Sequence, residues 1–408
     1  MAYRTLKSIF HQRDLAAAAA EEELRRGSPA ALHWQMDVGE HAMFALVTPE
    51  ILMLTERILG LEPKIAAEWS ALPPGAQSHY FISAIVDEIQ ATNEVEQVRS
   101  TRREIRAAVA SLSAAHGAKN TRFTEMVRLY QSLGDDATAS PRSLDDVRAL
   151  YDAVAAGEID GDDAPDGARF RAGPVIIESG IKVVHSGLTP ESAIDDGLAE
   201  MLRQSADESI PRLIRAVVAH FIFEYVHPFY DGNGRTGRFL LALELRRTLA
   251  PIACLALSAT IADSKDRYYR AFVEAEQSLN RGEITPFIIA MLELVAEAEN
   301  RLLLDLRDRR KSLDDLWSRL QELAAAGSIA DDEAVQLLYV LGQVWLFGDR
   351  RALLQELVDH SQRSKAVVRK RLAVLVDDDL VLEVTKKPLR FELSPAAREL
   401  LGIDVERR

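Results

Sequence analysis

The feature that most constrains the fold is an apolar helical stripe that ends at a glycine-rich turn. Across residues 210–226 apolar side chains recur at helical spacing, as Leu213, Ile214, Val217, Val218, Phe221, Ile222 and Tyr225. Pro228 disfavours helical geometry at His227, so this helix should end there. The pattern predicts a second helix over residues 233–249. Residues 227–232 must therefore turn sharply between two packed helices.

Composition favours a helical protein from a reducing compartment. Of the 408 residues, 48% are hydrophobic and only 6% aromatic, a mixture typical of helical proteins. Cys254 is the only cysteine, so no disulfide can form within the chain. No apolar run reaches the ~18 residues of a membrane span, and the N-terminus does not resemble a signal peptide. We therefore predict a cytoplasmic protein with no membrane contact.

The periodicity predicts a mainly α fold in four parts. They are an N-terminal helical region over residues 1–110, a helical core over 111–300, a linker helix over 301–330 and a C-terminal domain over 331–408. In the last part, helical patterns at 333–347, 351–360 and 364–376 precede strand-like runs at 380–385 and 389–393. Three helices followed by a β-hairpin are typical of a winged helix-turn-helix domain.

One segment of the core breaks the helical pattern. Its β-rich residues fall in two runs, Val175, Ile176 and Ile177, then Ile181, Lys182, Val183 and Val184. The runs are joined by three residues that include Gly180, which predicts a hairpin. Polar, turn-rich sequence precedes the hairpin, so we expect it to lie on the surface.

The turn and the start of the second helix, HPFYDGNGRTGR at residues 227–238, have the composition of a phosphate site. Gly232, Asn233 and Gly234 leave backbone N–H groups free at a helix N-terminus, and glycine lets a ligand approach closely. Arg235 and Arg238 share a face of that helix, and both can bind phosphate oxygens. Because the net charge is −14, which argues against wholesale nucleic-acid binding, an anion site must be a local cation cluster of this kind.

Two further side chains of this block supply chemistry. His227 is a base that can act near neutral pH. Asp231 offers carboxylate oxygens beside the expected phosphates, where Mg²⁺ would bridge them. Together with the anion site, a base and a metal ligand predict group transfer from a nucleotide.

The same block resembles the signature of the Fic family, HPFx[DE]GNGRxxR, at every fixed position. The segments ARFRAGPVII, DRYYRAF and GEITPFI resemble other parts of that family, so the likeness covers nearly the whole chain. It implies a protein adenylyltransferase, in which a hydroxyl group of a target protein attacks the α-phosphate of ATP. The resemblance assigns His227 as general base and Asp231 as the Mg²⁺ ligand. A relative that phosphorylates proteins has lysine at the position of Gly232, which argues against that variant here.

The resemblance also assigns the other site residues. Gly232, Asn233 and Gly234 would cradle the phosphates, and Arg235 and Arg238 would neutralise charge at the β- and γ-phosphates. The hairpin would be a flap that docks the target by strand addition through Val175, Ile176, Ile177, Ile181 and Val183. Tyr268 and Tyr269 are candidates for the adenine pocket, but adjacent tyrosines in a helix are often ordinary packing residues.

A second segment, TNEVEQ at residues 92–97, resembles the inhibitory motif [ST]xxxE[GN] of Fic proteins. Thr92 and Glu96 match, whereas Gln97 replaces glycine or asparagine. We expect the segment to lie in a helix over residues 78–108. The resemblance implies that Glu96 pairs with Arg238 and displaces the γ-phosphate, because carboxylate and phosphate compete for one guanidinium. A helical glutamate is otherwise most often a solvated surface residue.

Basic residues of the C-terminal domain leave other functions open. They lie around the third helix and the predicted wing, as Arg363, Lys365, Arg369, Lys370, Arg371, Lys386, Lys387 and Arg390. Such a cluster is typical of DNA binding, although the same geometry serves protein contacts or a homodimer. The alternatives are therefore a DNA-binding regulator that senses nucleotide, and an enzyme in which Glu96 positions water to remove AMP. The target protein stays unidentified, and the chain itself is one candidate.

Overall fold

The computed structural model describes residues 3–113, 122–135, 138–159, 161–179 and 182–403, and the protein is mainly α-helical, as predicted. Its helices are α1 (Leu6–Gln12), α2 (Leu15–Arg26), α3 (Pro49–Ser70), α4 (Pro74–Val95), α5 (Arg102–Ser113), α6 (Thr124–Asp135), α7 (Leu144–Val154), α8 (Glu191–Ala206), α9 (Arg212–Val226), α10 (Asn233–Leu245), α11 (Pro251–Cys254), α12 (Leu257–Asp263), α13 (Lys265–Ala275), α14 (Thr285–Ala325), α15 (Asp332–Phe347), α16 (Leu354–Ser361), α17 (Lys365–Asp377) and α18 (Pro395–Leu400). Its strands are β1 (Ala31–Val38), β2 (His41–Leu46), β3 (Ile176–Ser179), β4 (Lys182–Ser186), β5 (Ala352–Leu353), β6 (Val381–Lys386) and β7 (Leu389–Leu393).

The chain forms two compact units. The first comprises Met1–Glu62 and Ile85–Asn300, and the second comprises Pro63–Ala84 and Arg301–Arg408. Within the described ranges, every helix is too short or too polar to span a bilayer.

Helices α9 and α10 lie at the centre of the first unit. All of α9 except Arg212 and Glu224 is buried, as is every residue of α10. A helix that is apolar on all sides is buried on all sides, which explains α9. Both helices were predicted, although α10 ends at Leu245 and a separate helix, α11, follows. The turn between them therefore rests on a fixed, fully packed support.

The N-terminal region, predicted as helical, also contains a β-hairpin that was not predicted. Strands β1 and β2 pair antiparallel, with Val38 opposite His41 across a two-residue turn. Gly39 takes a φ of +62° in this turn, which glycine adopts without a steric penalty. Trp34 and Val38 of β1 and Met43, Phe44 and Ala45 of β2 are buried, so the hairpin contributes to the core.

The predicted helix over residues 78–108 is in fact two helices, because α4 ends at Val95 and α5 begins at Arg102. Gln97 takes a left-handed φ of +59°. The N–H of Val98 donates to the Asn93 carbonyl at 2.8 Å, and the Gln97 N–H donates to the Glu94 carbonyl at 3.1 Å. This pair of bonds is a Schellman motif, which satisfies the last carbonyls of a helix. It makes Glu96 the C-cap residue of α4.

The predicted flap hairpin is present as β3 and β4, with Ile177 opposite His185. Ile181 lies outside the described residues, and Val175 directly precedes β3.

In the second unit, α15, α16 and α17 precede β6 and β7, close to the predicted bounds. The short strand β5 was not predicted and completes a sheet of order β5-β7-β6. The predicted linker helix is the C-terminal part of α14, which begins at Thr285.

Candidate functional site

Phe229 and Asn233 hold the turn between α9 and α10. The Phe229 ring stacks on Tyr151 with 3.5 Å between centroids, and its edge meets Phe170. The Asn233 Oδ1 accepts the Phe229 N–H at 3.0 Å, and its Nδ2 donates to the Phe229 carbonyl at 2.7 Å. The side chain of Asn233 is thus committed to the turn itself, so only its backbone remains for a ligand.

Arg171, which the sequence reasoning did not single out, ties this turn to the segment before β3. Its Nε donates to the His227 carbonyl at 2.8 Å, and its Nη1 and Nη2 donate to the carbonyls of Gly173 and Leu188. The side chain is fully buried. A buried arginine that binds carbonyl groups fixes the backbone on both sides of His227. In the sequence, Arg171 lies in the segment ARFRAG, which resembles the Fic family and could have indicated its role.

The ring of His227 is held in one tautomer. His227 ends α9 with a left-handed φ of 51°. Its Nδ1 lies 3.3 Å from the Glu224 carbonyl oxygen, which can only accept, so Nδ1 carries the proton and Nε2 keeps a free lone pair. Burial, and next the neighbouring His185 ring, lower the pKa of His227 to about 3. The ring is therefore neutral at pH 7, with Nε2 free to accept a proton, as a general base requires.

Arg238 is buried, and each of its three guanidinium nitrogens donates a hydrogen bond to the end of α4. Its Nε donates to Thr92 Oγ1 at 2.8 Å, its Nη2 to the Thr92 carbonyl at 3.0 Å and its Nη1 to Glu96 Oε1 at 2.9 Å. Burial alone raises the pKa of Glu96, but Arg238 outweighs it and holds that pKa below its usual value. The predicted neighbours Thr92, Glu96 and Arg238 are thus together in the structure.

Gly234 makes the approach of Glu96 possible. A Cβ atom at this position would lie within 2.9 Å of Arg238 Nη1 and closer still to the Glu96 carboxylate. Gly234 is in the first turn of α10, where the N–H groups have no acceptor within the helix. The Glu96 carboxylate therefore lies at the same helix N-terminus that the sequence predicts as the anion site.

Arg235 and Arg238 both lie on α10, but their side chains have different partners. Its Nη1 forms an ion pair with Glu158, and its Nη2 lies 3.3 Å from Asp231 Oδ2. The side chain of Arg235 is 1% exposed and that of Glu158 is 4% exposed. Glu158 follows α7, and nothing in its local sequence distinguishes it from a surface acid.

Asp231 is the carboxylate available for a metal ion. Its Oδ1 accepts the Gly232 N–H at 2.6 Å, and its side chain is 49% exposed. No cluster of three or more His, Cys, Asp or Glu side chains occurs among the described residues. Mg²⁺ commonly binds one or two carboxylates, with phosphate oxygens and water completing its shell. A single accessible carboxylate beside a phosphate site therefore fits Mg²⁺ delivered with a nucleotide.

The two adjacent tyrosines of α13 are not equivalent. The Tyr268 hydroxyl pairs with His220 Nε2 at 2.9 Å inside the core, and the side chain is fully buried. Tyr269 is 40% exposed, and its hydroxyl lies 3.5 Å from Glu96 Oε1. Tyr269 is therefore the one of the pair that a ligand can reach.

The β3–β4 hairpin carries exposed apolar side chains. Ile176 is 54% exposed and Ile177 is 39% exposed. In β4, His185 Nδ1 donates to Glu276 Oε2 at 2.7 Å, and the His185 ring centroid lies 5.7 Å from that of His227. The hairpin therefore ends next to the predicted base.

Comparison with known proteins identifies this region. Residues 141–245 match the Fic/DOC family. They form a Fic domain. The protein adenylyltransferase fic-1 of Caenorhabditis briggsae is 35% identical over 104 residues, which are 25% of this chain and 18% of the relative. The fic-1 protein of Caenorhabditis elegans is 31% identical over 103 residues, again 25% of this chain and 18% of the relative. The chain thus spans less than a fifth of these relatives.

A solved structure has the same fold over a longer range. The crystal structure of a Fic family protein from Desulfovibrio desulfuricans superimposes with a TM-score of 0.50 and 21% identity. The match covers 86% of this chain and 97% of the other. At this identity the likeness concerns the fold, which is that of a mainly α Fic protein.

We expect Gln97→Gly to stabilise the end of α4. A residue with a side chain is strained in the left-handed region, so glycine should raise the free energy of unfolding by about 1 kcal/mol. Chemical denaturation measures the change. Gln97→Ala keeps the strained geometry and serves as the control. A glycine variant no more stable than the alanine variant would contradict the assignment.

We expect Glu224→Gln to stabilise the Fic domain increasingly as pH rises. Glu224 Oε1 has no hydrogen-bond partner among the described residues, and burial raises the pKa of this carboxyl from 4.5 to about 8. Because the folded pKa is the higher one, stability is greatest below pH 4.5 and falls as pH approaches 8. Glutamine cannot ionise, so the free energy of unfolding of the variant relative to the parent should rise over this range. The rise is at most about 1.4 kcal/mol for each pH unit. Urea denaturation at several pH values measures it, and a pH-independent difference would contradict the expected burial.

Proposed function

We propose that the protein transfers AMP from ATP to a hydroxyl group of a target protein. The proposal rests on the turn between α9 and α10, where the neutral ring of His227 lies beside a helix N-terminus. Arg238 reaches the same N-terminus, since its Nη1 would lie 2.9 Å from a Cβ atom at Gly234. The relatives that match this region are named protein adenylyltransferases, which supports the same reaction.

The chemistry follows from the residues of the turn. The hydroxyl oxygen of the target attacks the α-phosphorus of ATP, and its proton passes to Nε2 of His227. The bond from the α-phosphorus to the bridging oxygen breaks, and pyrophosphate leaves. The first N–H groups of α10 bind phosphate oxygens, with the dipole of the helix favouring their negative charge. Positioning and fixed charge thus supply most of the rate enhancement.

Magnesium is the cofactor that this chemistry requires. Asp231 would hold the ion, which neutralises phosphate charge when bound. The half-exposed carboxylate of Asp231 can accept the ion together with a nucleotide, because it is open to solvent on one side.

We propose that Glu96 inhibits the transfer. Its carboxylate occupies the Nη1 donor of Arg238, which a γ-phosphate would otherwise use. Lys265 Nζ donates to the Val95 carbonyl, and Tyr269 approaches the same carbonyl at 3.4 Å. These contacts hold the end of α4 against α13 and keep Glu96 in place.

Removal of AMP is a second candidate function, and for the C-terminal domain a protein contact is a better candidate than DNA binding. A Glu96 carboxylate near His227 would suit an enzyme that activates water to hydrolyse the AMP ester, which releases AMP and the free hydroxyl group, since the charge of Glu96 raises the pKa of His227. In the proposed winged helix, Arg371 pairs with Asp331, and Arg363 pairs with Glu333 at 3.3 Å. These ion pairs reduce the positive charge around the third helix and favour a protein contact over DNA.

His227→Ala should abolish AMP transfer and leave ATP binding largely unchanged. A base is needed only while the hydroxyl attacks, whereas phosphate affinity comes from α10 and Arg238. Incorporation of labelled AMP and calorimetric ATP binding are measured in parallel. His11→Ala removes an exposed imidazole and serves as the control. Undiminished transfer by His227→Ala would rule out this base.

Glu96→Gly should raise AMP transfer, including self-modification, by about tenfold to a hundredfold, as expected for the loss of one charged hydrogen bond. Mass spectrometry of the protein after incubation with ATP and Mg²⁺ measures the added AMP. Glu94→Gly places glycine in the same last turn and controls for helix fraying. Adding Arg238→Ala to Glu96→Gly should cancel the gain. A double variant as active as the single one would contradict the role of Arg238.

A further inference from the structure

The guanidinium of Arg235 faces two carboxylates. Its Nη1 pairs with Glu158, its Nη2 lies 3.3 Å from Asp231 Oδ2, and its Nε is buried without a partner among the described residues. The family signature assigns this arginine to phosphate. In the structure its terminal nitrogens are already directed at Glu158 and Asp231.

Glu158 is held firmly in this position. Its backbone N–H donates to the Ala155 carbonyl at 3.0 Å, in the turn that follows α7. Its Oε1 accepts from Arg122 Nε at 3.1 Å, while Oε2 faces Arg235. The neighbouring Ile159 contacts the position of Gly232, where a Cβ atom would lie 3.7 Å from Ile159 Cδ1. The segment after α7 therefore packs directly on the turn that carries Asp231.

We propose that Glu158 is a positioning residue for the metal ion: by neutralising Arg235, it leaves the charge of Asp231 available to Mg²⁺. This inference rests on the proposed function, because it assumes that Asp231 receives the ion with the nucleotide. It also reassigns Arg235 from the phosphates to the support of Asp231.

The direction of the effect follows from charge balance. Arg235 is 1% exposed, so its cation requires a carboxylate partner inside the protein. With Glu158 present, the charge of Arg235 is neutralised, and the distance from Arg235 Nη2 to Asp231 Oδ2 is 3.3 Å. Without that charge, Asp231 is the only carboxylate within reach of the guanidinium among the described residues, and the two would pair closely. A paired Asp231 binds a cation less well, since guanidinium and metal compete for the same oxygens.

The experiment measures how ATP binding depends on Mg²⁺, with no need for catalysis. Full-length protein carrying His227→Ala is titrated with ATP by calorimetry, in EDTA and over a range of Mg²⁺ concentrations. Glu158→Gln should raise the Mg²⁺ concentration for half-maximal enhancement of binding by about tenfold, a magnitude typical of residues that support metal ligands. ATP affinity in EDTA should stay within about twofold of the parent, because the anion site at α10 is unchanged.

Two further variants keep the proposal testable if Glu158→Gln folds poorly. Arg235→Met removes the competing guanidinium and should lower the Mg²⁺ midpoint, with affinity in EDTA unchanged. Asp152→Asn is the matched control, since it removes an exposed carboxylate of α7 that pairs with Arg148 at 2.8 Å. Its midpoint should equal that of the parent.

Distinct results would overturn the proposal. An unchanged or lower midpoint for Glu158→Gln would show that Glu158 does not protect the charge of Asp231. Weaker ATP binding by Arg235→Met in EDTA would show that Arg235 binds phosphate directly. Failure of the proposed function appears separately, as absence of AMP transfer by the Glu96→Gly protein with His227 intact, while these binding measurements still report on Glu158.

Discussion

The buried guanidinium of Arg238 is the charge on which the site depends. Thr92 offers it two neutral acceptors, and only Glu96 supplies a negative charge by direct hydrogen bond. A buried cation that loses its only anionic partner is destabilised by about 3–5 kcal/mol. Whatever displaces Glu96 must therefore bring negative charge of its own, and a nucleotide phosphate does so. In the proposed function, an anion can therefore displace Glu96 from Arg238, whereas a neutral ligand cannot.

Glycines in α10 make room for carboxylates around Arg238 as well as for a ligand. A Cβ atom at Gly234 would collide with the Glu96 carboxylate, and one at Gly237 would collide with that of Glu224. Both acids influence the pKa of Arg238, after burial, which alone would lower it. The sequence suggested that Gly234 opens the backbone to phosphate, and it assigned no role to Gly237. The structure adds that they admit two carboxylates to the neighbourhood of one arginine.

Local signals explain which parts of the structure could be predicted from the sequence. The apolar stripe of α9, the proline after His227 and the glycine-rich turn are short-range features, and each defined an element correctly. The break after α4 was missed because Gln97 adopts a left-handed φ of +59° where glycine or asparagine would have signalled a cap. The β1–β2 hairpin was missed although Gly39 marked its turn. The pairing of Arg235 with Glu158 joins residues 77 positions apart, and no local pattern encodes such a contact.

The two arginines of α10 show that a family signature does not by itself determine the role of each of its residues. Both side chains are 1% exposed and both pair with a carboxylate from outside the turn. The partner of Arg238, Glu96, is 28% exposed and lies at the end of a helix, whereas Glu158 is 4% exposed and also held by Arg122. An accessible carboxylate at a helix end can withdraw when an anion arrives, but a buried one with two cationic partners cannot do so without removing its charge from both of them. The Arg238 pair is therefore the one suited to exchange, and the Arg235 pair is the one suited to hold the site in place.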